Sequence, residues 1–312
     1  MITLDNGINK VSMQRITFGP NNYDNEGKID KYFNLLDMYF DAGGRSIDTA
    51  RVYANGLTEE IIGRWMKKRN NREKLVITTK GGHPPVGDMY CPRLDRESII
   101  FDIKASLSAL GTEYVDVYLL HRDARSLPVS DIVDTLDEIV KMGYAKVCGV
   151  SNWKTDRINE ANEYAKRHNK AKICVSQINF SLAETTPERL NDDTLVCMTD
   201  EEYEYYLKNN IPVMAFSSQA KGFFAKLGQG AELSQKAKDR FLCEKNLKRF
   251  ERVKEISQKY KISPTAVALA YLSCNPLPVS AVFSCRTKEQ MTDTLTALKM
   301  EITENEVNFL KG

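Results

Sequence analysis

The sequence has few of the residues that mark metal and disulfide proteins. It contains only three histidines, and its seven cysteines are scattered without a CxxC pair. A zinc site needs clustered cysteines or histidines, and a disulfide framework is typically built on an even, regularly spaced set. We therefore expect no metal site and reduced thiols.

Long apolar runs are also missing. No stretch approaches the roughly 18 apolar residues that indicate a membrane span, and the N-terminal MITLDNGINKVSMQR lacks the apolar core of a secretion signal. These absences predict a soluble, cytoplasmic protein without a membrane partner.

An excess of charge of one sign is absent as well. The 44 Lys and Arg residues against 42 Asp and Glu leave a net charge of +2. No dense basic block is interleaved with aromatic residues, as a nucleic-acid surface requires. We expect no nucleic-acid partner.

With 312 residues, of which 42% are hydrophobic, the chain can bury a large core, although length alone does not distinguish one large domain from two modest ones.

Short apolar, β-branched runs alternate with longer stretches of helical periodicity. Such alternation produces a parallel sheet through right-handed crossovers, and eight strand–helix units have the size of a (β/α)8 barrel. No linker or repeat divides the chain, so we predict a single α/β domain over residues 1–312, a (β/α)8 TIM barrel. The eight runs are RITFG from Arg15, RSIDT from Arg45, LVITTK from Leu75, VDVYLLH from Val115, AKVCGVSN from Ala145, ICVSQINF from Ile173, VMAFSS from Val213 and SAVFSC from Ser280.

Helices are predicted between these strands and after the last one. Thr58 before two glutamates and Ser263 before a proline resemble helix starts, and Gly143 can end a helix. A long connection over residues 219–247 enlarges the unit before the last strand, and long loops in barrels are often functional. The predicted helices span residues 31–42, 58–68, 95–110, 129–142, 154–168, 200–209, 248–260, 264–273 and 287–298.

The doubly wound nucleotide-binding fold is the main alternative to the barrel. That fold holds its dinucleotide with a GxGxxG turn between a strand and a helix. The GGHPP segment after LVITTK has the wrong spacing and continues into prolines. If a dinucleotide binds this chain, a structural motif other than the GxGxxG turn must bind it.

Four titratable residues stand at or just beyond the ends of predicted strands: Asp48, Tyr53, Lys80 and His121. In a (β/α)8 barrel these strand ends open onto one face, so the side chains should converge. An ammonium near a phenol brings the phenol pKa toward the working range, and a neighbouring carboxylate keeps that ammonium charged. We therefore interpret Tyr53 as a proton donor, tuned by Lys80 and Asp48. His121 would orient a carbonyl oxygen that receives a hydride at carbon.

Each of these residues has another interpretation when it is taken singly. A loop tyrosine often only packs, and an aspartate at a strand end often caps a helix. Lys80 alone is compatible with a Schiff-base lysine. His121, followed by Arg122 and Asp123, is compatible with an ion-pair cluster. The combination of all four favours carbonyl reduction.

Several segments resemble the aldo-keto reductase family. They are IDTARVYANGLTEEIIGRWMK, LVITTKGG, SLSALGTEYVDVYLLHRD, VCGVSNW and VSQINFSL, with weaker matches at AFSSQAKGFF and SCRTKEQM. The resemblance covers nearly the whole chain in order, and it places the Asp, Tyr, Lys and His tetrad of the family on the same four residues. It implies an oxidoreductase that reduces an aldehyde or ketone to an alcohol by hydride transfer.

The resemblance also implies an extended NADP(H) bound without a GxGxxG turn. Residues 151, 152 and 177 would hold the nicotinamide carboxamide, and Phe216 would stack on the ring. Residues 217–222 would follow the pyrophosphate, and residues 284–290 would meet the adenosine end. Some relatives carry a lysine at position 284 and an arginine at position 290, which leaves Arg286 alone for the 2′-phosphate, so NADP(H) is preferred and NAD(H) is possible. The implied contacts are Gly19, Asp48, Ser151, Asn152, Gln177, Phe216, Ser217, Ser218, Gln219, Lys221, Gly222, Ser284, Arg286 and Gln290.

The substrate is less well defined by the sequence. The chain stops soon after its last predicted helix, so an open pocket is expected. The potassium-channel β-subunits are a similar branch of the superfamily in which a barrel docks on another protein. The complete tetrad and the lack of an extended N-terminal segment favour an enzyme, and the resemblance implies a monomer. Candidate pocket residues, suited to a small polar or sugar-like carbonyl, are Asn21, Tyr23, Val52, His83, Arg122 and Trp153.

Overall fold

Eight parallel strands close into a barrel in the computed structural model, which describes residues 1–312. The barrel strands follow one another in chain order, and the last pairs with the first. All eight coincide with the predicted runs, which confirms the predicted fold class. The strands are β1 (Ile2–Asp5) and β2 (Lys10–Met13), which form a hairpin, and the barrel strands β3 (Ile16–Phe18), β4 (Ser46–Asp48), β5 (Val76–Gly81), β6 (Val115–Leu120), β7 (Ala145–Ser151), β8 (Ser176–Asn179), β9 (Val213–Phe216) and β10 (Val279–Phe283).

The hairpin of β1 and β2 was not predicted. Its residues alternate between buried and exposed positions, as expected for strands with one face on a core. The side chains of Asn6 and Asn9 donate hydrogen bonds to the Lys146 carbonyl near the start of β7. The hairpin therefore covers the amino-terminal end of the barrel. Its buried residues Ile2, Leu4, Val11 and Met13 pack against barrel residues that include Val117, Leu119, Val147 and Val175.

Helices surround the barrel, and none combines the length and the apolarity needed to cross a membrane. Each predicted helix is present, and most boundaries differ from the prediction by one or two residues. The helices are α1 (Ile29–Asp41), α2 (Leu57–Arg69), α3 (Arg96–Leu110), α4 (Val129–Lys141), α5 (Thr155–Arg167), α6 (Pro187–Leu190), α7 (Asp200–Asn209), α8 (Phe223–Gly228), α9 (Gln235–Phe241), α10 (Glu244–Tyr260), α11 (Pro264–Ser273), α12 (Lys288–Ala297) and α13 (Glu304–Lys311).

Two of the three predicted helix boundaries are confirmed and one is wrong. Ser263 Oγ accepts a hydrogen bond from Ala266 N at 3.1 Å and so caps α11. Gly143 follows the last turn of α4 with a φ of 75°, as a helix-ending glycine does. Thr58, however, lies inside α2, whose cap residue is Gly56. The Thr58 hydroxyl instead donates to the Tyr23 carbonyl at 3.2 Å, because the preceding turn carries the chain directly into the helix.

The connection over residues 219–247 is not an open loop. It contains α8 and α9, and α10 begins at Glu244 rather than at residue 248. The enlarged unit before the last strand is thus confirmed, and it is built mainly of short helices. The short α6 and the C-terminal α13 were not predicted. The enlarged unit follows the carboxyl end of β9, where the predicted pyrophosphate segment, residues 217–222, begins.

Candidate active site

Adjacent strands bring three of the four predicted catalytic residues to one end of the barrel. Asp48 ends β4, Lys80 lies near the end of β5, and His121 directly follows β6. The register pairs Asp48 with Thr78 and Lys80 with Leu119. His121 N donates to the Gly81 carbonyl at 2.9 Å, which extends the pairing beyond β6. Parallel pairing therefore places these side chains at the carboxyl-terminal mouth, where (β/α)8 enzymes have their active sites.

Lys80 and Asp48 form a buried ion pair. Lys80 Nζ lies 2.8 Å from Asp48 Oδ2 and donates to the Thr49 carbonyl at the same distance. Burial opposes a charge on the Lys80 amine, but the Asp48 carboxylate and the Tyr53 phenol outweigh it and raise the lysine pKa. Lys80 is thus an ammonium held by a counter-ion. A Schiff-base lysine needs a free amine, so this geometry disfavours that alternative.

Tyr53 stands at the start of a left-handed turn. Ala54 and Asn55 have φ angles of 48° and 53°, and Gly56 has 95°. A left-handed conformation costs an L-residue with a Cβ about 1–2 kcal/mol. The turn bends the chain from the end of β4 into α2 and leaves the Tyr53 side chain half-buried at the mouth.

An ion pair between a half-buried arginine and a buried glutamate holds this turn. Arg51 NH1 lies 3.1 Å from Glu59 Oε2, and Arg51 NH2 donates to the Asn55 carbonyl at 3.3 Å. Glu59 is fully buried in the first turn of α2, and its other oxygen accepts from Thr79 Oγ1 at 2.6 Å. Thr79 precedes Lys80 in β5. The same network therefore connects the turn that carries Tyr53 to the strand that carries Lys80.

Tyr53 lies between the lysine and the histidine. Lys80 Nζ is 5.1 Å from the centroid of the Tyr53 ring. The rings of Tyr53 and His121 are 5.8 Å apart at an angle of 77°. All four predicted catalytic residues are therefore brought together.

His121 is a neutral imidazole. Burial lowers its pKa well below the ordinary value, and the charges of Lys80 and Arg122 lower it further. The ring forms no ion pair, so the ion-pair alternative does not hold for His121. His121 Nδ1 is buried and has no hydrogen-bond partner, which leaves Nε2 as the nitrogen able to reach a bound molecule.

Gln177 and Asn152 already use part of their amide groups inside the protein. Gln177 Nε2 donates to Asp48 Oδ1 at 3.0 Å, so Gln177 supports the Asp48–Lys80 pair. Asn152 Nδ2 donates to Ser151 Oγ at 3.0 Å, and its Oδ1 accepts from Val196 N at 3.2 Å. Of these predicted carboxamide contacts, Gln177 Oε1 is the amide oxygen without a protein donor. Asn152 serves mainly to hold the loops around the mouth.

The segment after β9 presents unbonded backbone donors. The N–H groups of Ser217, Ser218 and Gln219 donate to no protein acceptor, and Ser217 has a φ of 55°. Successive free N–H groups in such a conformation form an anion-binding concavity. The Ser218 hydroxyl is not part of it, because it donates to the Val282 carbonyl at 2.7 Å. Phe216, half-buried at the end of β9, immediately precedes these donors.

Four cations without carboxylate partners lie beyond these donors. Partial desolvation and the nearby charges of Arg240, Arg286 and Lys236 lower the pKa of Lys221. None of the four is among the ion pairs of the structure. We call Lys221, Lys236, Arg240 and Arg286 the cation cluster. Unpaired, mutually repelling cations together with free N–H groups fit the phosphates of a dinucleotide.

The cation cluster includes two residues, Lys236 and Arg240, that were not predicted as cofactor contacts. Both lie in α9, inside the connection that was predicted only as an enlarged loop. The lysine-rich composition of that connection was the available signal, but sequence alone does not show which of its cations come close to Lys221. Lys221 was predicted as a ligand-binding residue and is in the cluster.

The remaining predicted cofactor contacts lie near one another after the carboxyl ends of β3 and β10. Ser284 Oγ is 3.3 Å from Asn21 Oδ1, and Ser284 N donates to Gln219 Oε1 at 3.3 Å. Gln290 Oε1 accepts from Arg286 N at 2.8 Å, so Gln290 shapes the turn that presents Arg286. Gly19 lies so close to β10 that a Cβ would be 2.6 Å from Val282 Cγ1.

The predicted pocket residues divide into two groups. Val52, His83 and Arg122 are half-buried at the mouth, and Asn21 is exposed beside Ser284. Tyr23 and Trp153 do not reach an open surface, because both are fully buried. The Tyr23 ring stacks on Tyr32 at 4.1 Å, and Trp153 Nε1 donates to the Arg122 carbonyl at 3.1 Å. Both aromatic residues pack the walls behind the pocket.

The barrel agrees with sequence comparisons. The model of the Aldo/keto reductase family matches residues 15–312. The chain therefore belongs to the aldo/keto reductase family, a family of oxidoreductases. Among curated proteins, it is 27% identical to a norsolorinic acid reductase, stcV, of Emericella nidulans over 289 residues, which cover 88% of this chain and 70% of that protein.

Solved structures share the fold. A thermostable aldo-keto reductase in complex with the inhibitor epalrestat superposes with a TM-score of 0.75 at 22% identity, over 100% of this chain and 99% of that chain. An aldo/keto reductase from Klebsiella pneumoniae in complex with NADP and acetate superposes with a TM-score of 0.72 at 20% identity, over 96% of this chain and 90% of that chain.

Proposed function

We propose that this protein reduces an aldehyde or ketone to an alcohol, with NADPH as the hydride donor. The observation that carries the proposal is the cluster of Tyr53, His121 and the buried Lys80–Asp48 ion pair at the carboxyl-terminal mouth. A carbonyl oxygen that receives a hydride at its carbon becomes basic and needs a proton. The cluster offers a proton donor, an N–H donor and a fixed cation for that oxygen.

The roles of the residues follow from their charges. When bound, a reduced nicotinamide supplies the hydride, which is one hydrogen with two electrons. Tyr53 donates its phenolic proton to the carbonyl oxygen, and the Lys80 ammonium stabilises the phenolate that remains. Asp48 keeps Lys80 charged in its buried position. His121 is neutral and therefore donates a hydrogen bond through Nε2 without adding charge. Solvent then returns a proton to Tyr53.

The preference for NADP(H) over NAD(H) rests on the cation cluster. The 2′-phosphate of NADPH adds about two negative charges, and the cluster has four cations without carboxylate partners. Free N–H groups at residues 217–219 suit the pyrophosphate. Relatives of known structure, such as the Klebsiella pneumoniae protein, hold NADP.

Replacement of Tyr53 by phenylalanine tests the proposed proton donor. Without the hydroxyl, the carbonyl oxygen has no proton source, so we expect turnover to fall about 10²- to 10⁴-fold. NADPH binding, followed by quenching of tryptophan fluorescence, should remain close to that of the wild type, because the ring is retained.

Tyr114→Phe is the matched control. Tyr114 precedes β6 at the opposite end of the barrel, where its hydroxyl donates to Glu73 at 3.0 Å. Its turnover should equal that of the wild type. Unchanged turnover of Tyr53→Phe would exclude Tyr53 as the proton donor. Tight NADPH binding by the wild-type protein with no turnover of any aldehyde would instead favour a nucleotide-binding regulatory role.

A further inference from the structure

Arg122 has hydrogen-bond donors that the protein does not use. Arg122 Nε donates to Thr194 Oγ1 at 3.2 Å and NH1 donates to the His121 carbonyl at 2.9 Å. NH2 makes no hydrogen bond, and its nearest carboxylate oxygen, Asp192 Oδ2, is 3.8 Å away. The side chain is only 12% exposed. A largely desolvated guanidinium with a free nitrogen is unfavourable unless an anion completes it.

The Arg122 charge lies close to the reacting groups. Arg122 directly follows His121, and it contributes to the low pKa of both His121 and His83, after burial. The rings of His83 and His121 are 4.8 Å apart. Burial lowers the pKa of Arg122 itself, while Asp192 and Tyr53 oppose that effect. The guanidinium is therefore within electrostatic reach of Tyr53 and both histidines.

Two other cations near the reacting groups are neutralised by hydrogen-bonded carboxylates. Lys80 is paired with Asp48, and Arg93 NH2 is 2.9 Å from Asp102 Oδ1. Asp192 is a weak partner for Arg122, because its other oxygen accepts two hydrogen bonds from Thr194, at 3.1 Å from the amide and 2.5 Å from the hydroxyl. The charge of Arg122, unlike that of Lys80 and Arg93, is thus incompletely balanced.

We propose that the physiological substrate is an aldehyde or ketone that also carries a carboxylate, which Arg122 binds through NH2 while the carbonyl oxygen lies at Tyr53 and His121. The inference rests on the proposed reductase function. A carboxylate oxygen can accept a charge-assisted hydrogen bond from the free NH2 group of the guanidinium. A phosphate dianion suits the site less well, since a single cation faces it and Asp192 would repel the second charge.

The meta and para isomers of carboxybenzaldehyde test the inference. Each is compared with the formylbenzamide of the same substitution, which has nearly the same shape without the charge. The rigid ring holds the carboxylate at a defined distance from the aldehyde. For at least one isomer we expect kcat/KM for the acid to exceed that for the amide by roughly 10- to 100-fold, as for a charge-assisted hydrogen bond.

Two substitutions should move this ratio in opposite directions. Arg122→Gln removes the cation and should bring the ratio of acid to amide close to one. Asp192→Asn removes the competing carboxylate and should raise the ratio above that of the wild type. Arg125→Gln is the control, because Arg125 is exposed and paired with Asp156 at 2.7 Å, and its ratio should equal that of the wild type.

The outcomes separate the two proposals. If acids and amides are reduced with equal kcat/KM for both isomers, the reductase function stands and the carboxylate inference is overturned. If Asp192→Asn lowers the ratio, Arg122 is not the anion site, even when Arg122→Gln fails to fold. If no acid and no amide supports NADPH oxidation, the proposed function itself fails.

Discussion

At the scale of single residues, a residue type is compatible with several chemical roles, and the environment of the side chain decides which of them it can take. Lys80 as a residue type is compatible with a Schiff base, but a carboxylate at 2.8 Å keeps it charged. His121 as a residue type is compatible with an ion pair, but burial beside cations keeps it neutral. The pKa of Lys80 is raised and that of its neighbour His121 is lowered. These opposite shifts support separate roles, in which the lysine supplies charge and the histidine supplies a hydrogen bond.

Ala54 gives a residue-scale prediction about stored strain. Its backbone is left-handed, with a φ of 48°, a conformation that is unfavourable for a residue with a Cβ but not for glycine. Ala54→Gly should therefore raise the free energy of unfolding by about 1 kcal/mol. For a chain of this size that corresponds to a rise in Tm of roughly 2–4 °C, measurable by differential scanning calorimetry.

Ala105→Gly is the control for Ala54. Ala105 lies in the right-handed helix α3, where glycine lowers the free energy of unfolding by about 1 kcal/mol. The two substitutions should therefore have opposite signs. A destabilised Ala54→Gly protein would mean that contacts of the Ala54 methyl group outweigh the backbone cost.

At the scale of elements, short additions pack against the barrel and against its outer helices. The β1–β2 hairpin covers the amino-terminal end of the strands. The C-terminal helix α13 docks on α10 through Glu306, which accepts from Lys259 Nζ at 2.6 Å and from Tyr260 Oη at 2.9 Å. Glu306 also completes a capping box with Thr303. One carboxylate thus both starts the helix and attaches it.

Glu306→Gln tests this attachment through its pH dependence. Burial alone raises the Glu306 pKa, but Lys259, Tyr260 and the Thr303 backbone outweigh it and lower the pKa to about 2. A lowered pKa means that the stabilisation is complete above the ordinary value of 4.5 and disappears as the pH falls through about 2. At pH 7 the variant should lose about 1–3 kcal/mol in urea unfolding, and the loss should shrink below pH 4.5.

Glu304→Gln serves as the comparison for Glu306. Glu304 occupies the same first turn of α13 and is exposed. Its replacement should cost only a few tenths of a kcal/mol, from the helix dipole. A loss in Glu306→Gln that persists unchanged at pH 3 would show that shape, rather than charge, attaches the helix.

At the scale of the whole molecule, the enlarged unit between β9 and β10 assembles a surface that no single element contains. Lys221 follows β9, Lys236 and Arg240 come from α9, and Arg286 comes after β10. Burial, and then repulsion from the other three cations, lowers the pKa of Lys221. Such an arrangement destabilises the free protein, and bound phosphates would relieve it.

Cofactor binding should therefore stabilise the whole fold, and NADPH should do so more than NADH. At a concentration of 100 times Kd, a ligand contributes about 2.7 kcal/mol. Arg240→Gln should weaken NADPH about 10-fold or more and leave NADH binding nearly unchanged, as judged by fluorescence titration and by thermal shift.

Lys238→Gln is the control for Arg240. Lys238 lies on the same helix but is paired with Glu232 at 3.3 Å, so its loss should not affect either cofactor. Equal weakening of NADPH and NADH in Arg240→Gln would assign Arg240 to the pyrophosphate rather than to the 2′-phosphate.

Much of this protein was predictable from local patterns. The eight barrel strands read as continuous apolar runs because parallel strands are covered on both faces; β6, for example, is buried along its whole length. The hairpin was missed because its strands alternate apolar and polar residues and have no helix between them. The prediction that Thr58 caps α2 was wrong. A left-handed turn, which no pattern indicated, precedes this helix and makes Gly56 the cap residue.

The sequence by itself determined the class of fold and the residues that converge at the mouth, because hydrophobic periodicity and position at a strand end are local properties. Only the tertiary structure decided which side chains are available there. Tyr23 and Trp153 are buried behind the pocket, Arg122 keeps a free nitrogen, and Arg240 comes close enough to act on Lys221. Exposure and charge pairing depend on contacts between distant segments, and those contacts exist only in the folded chain.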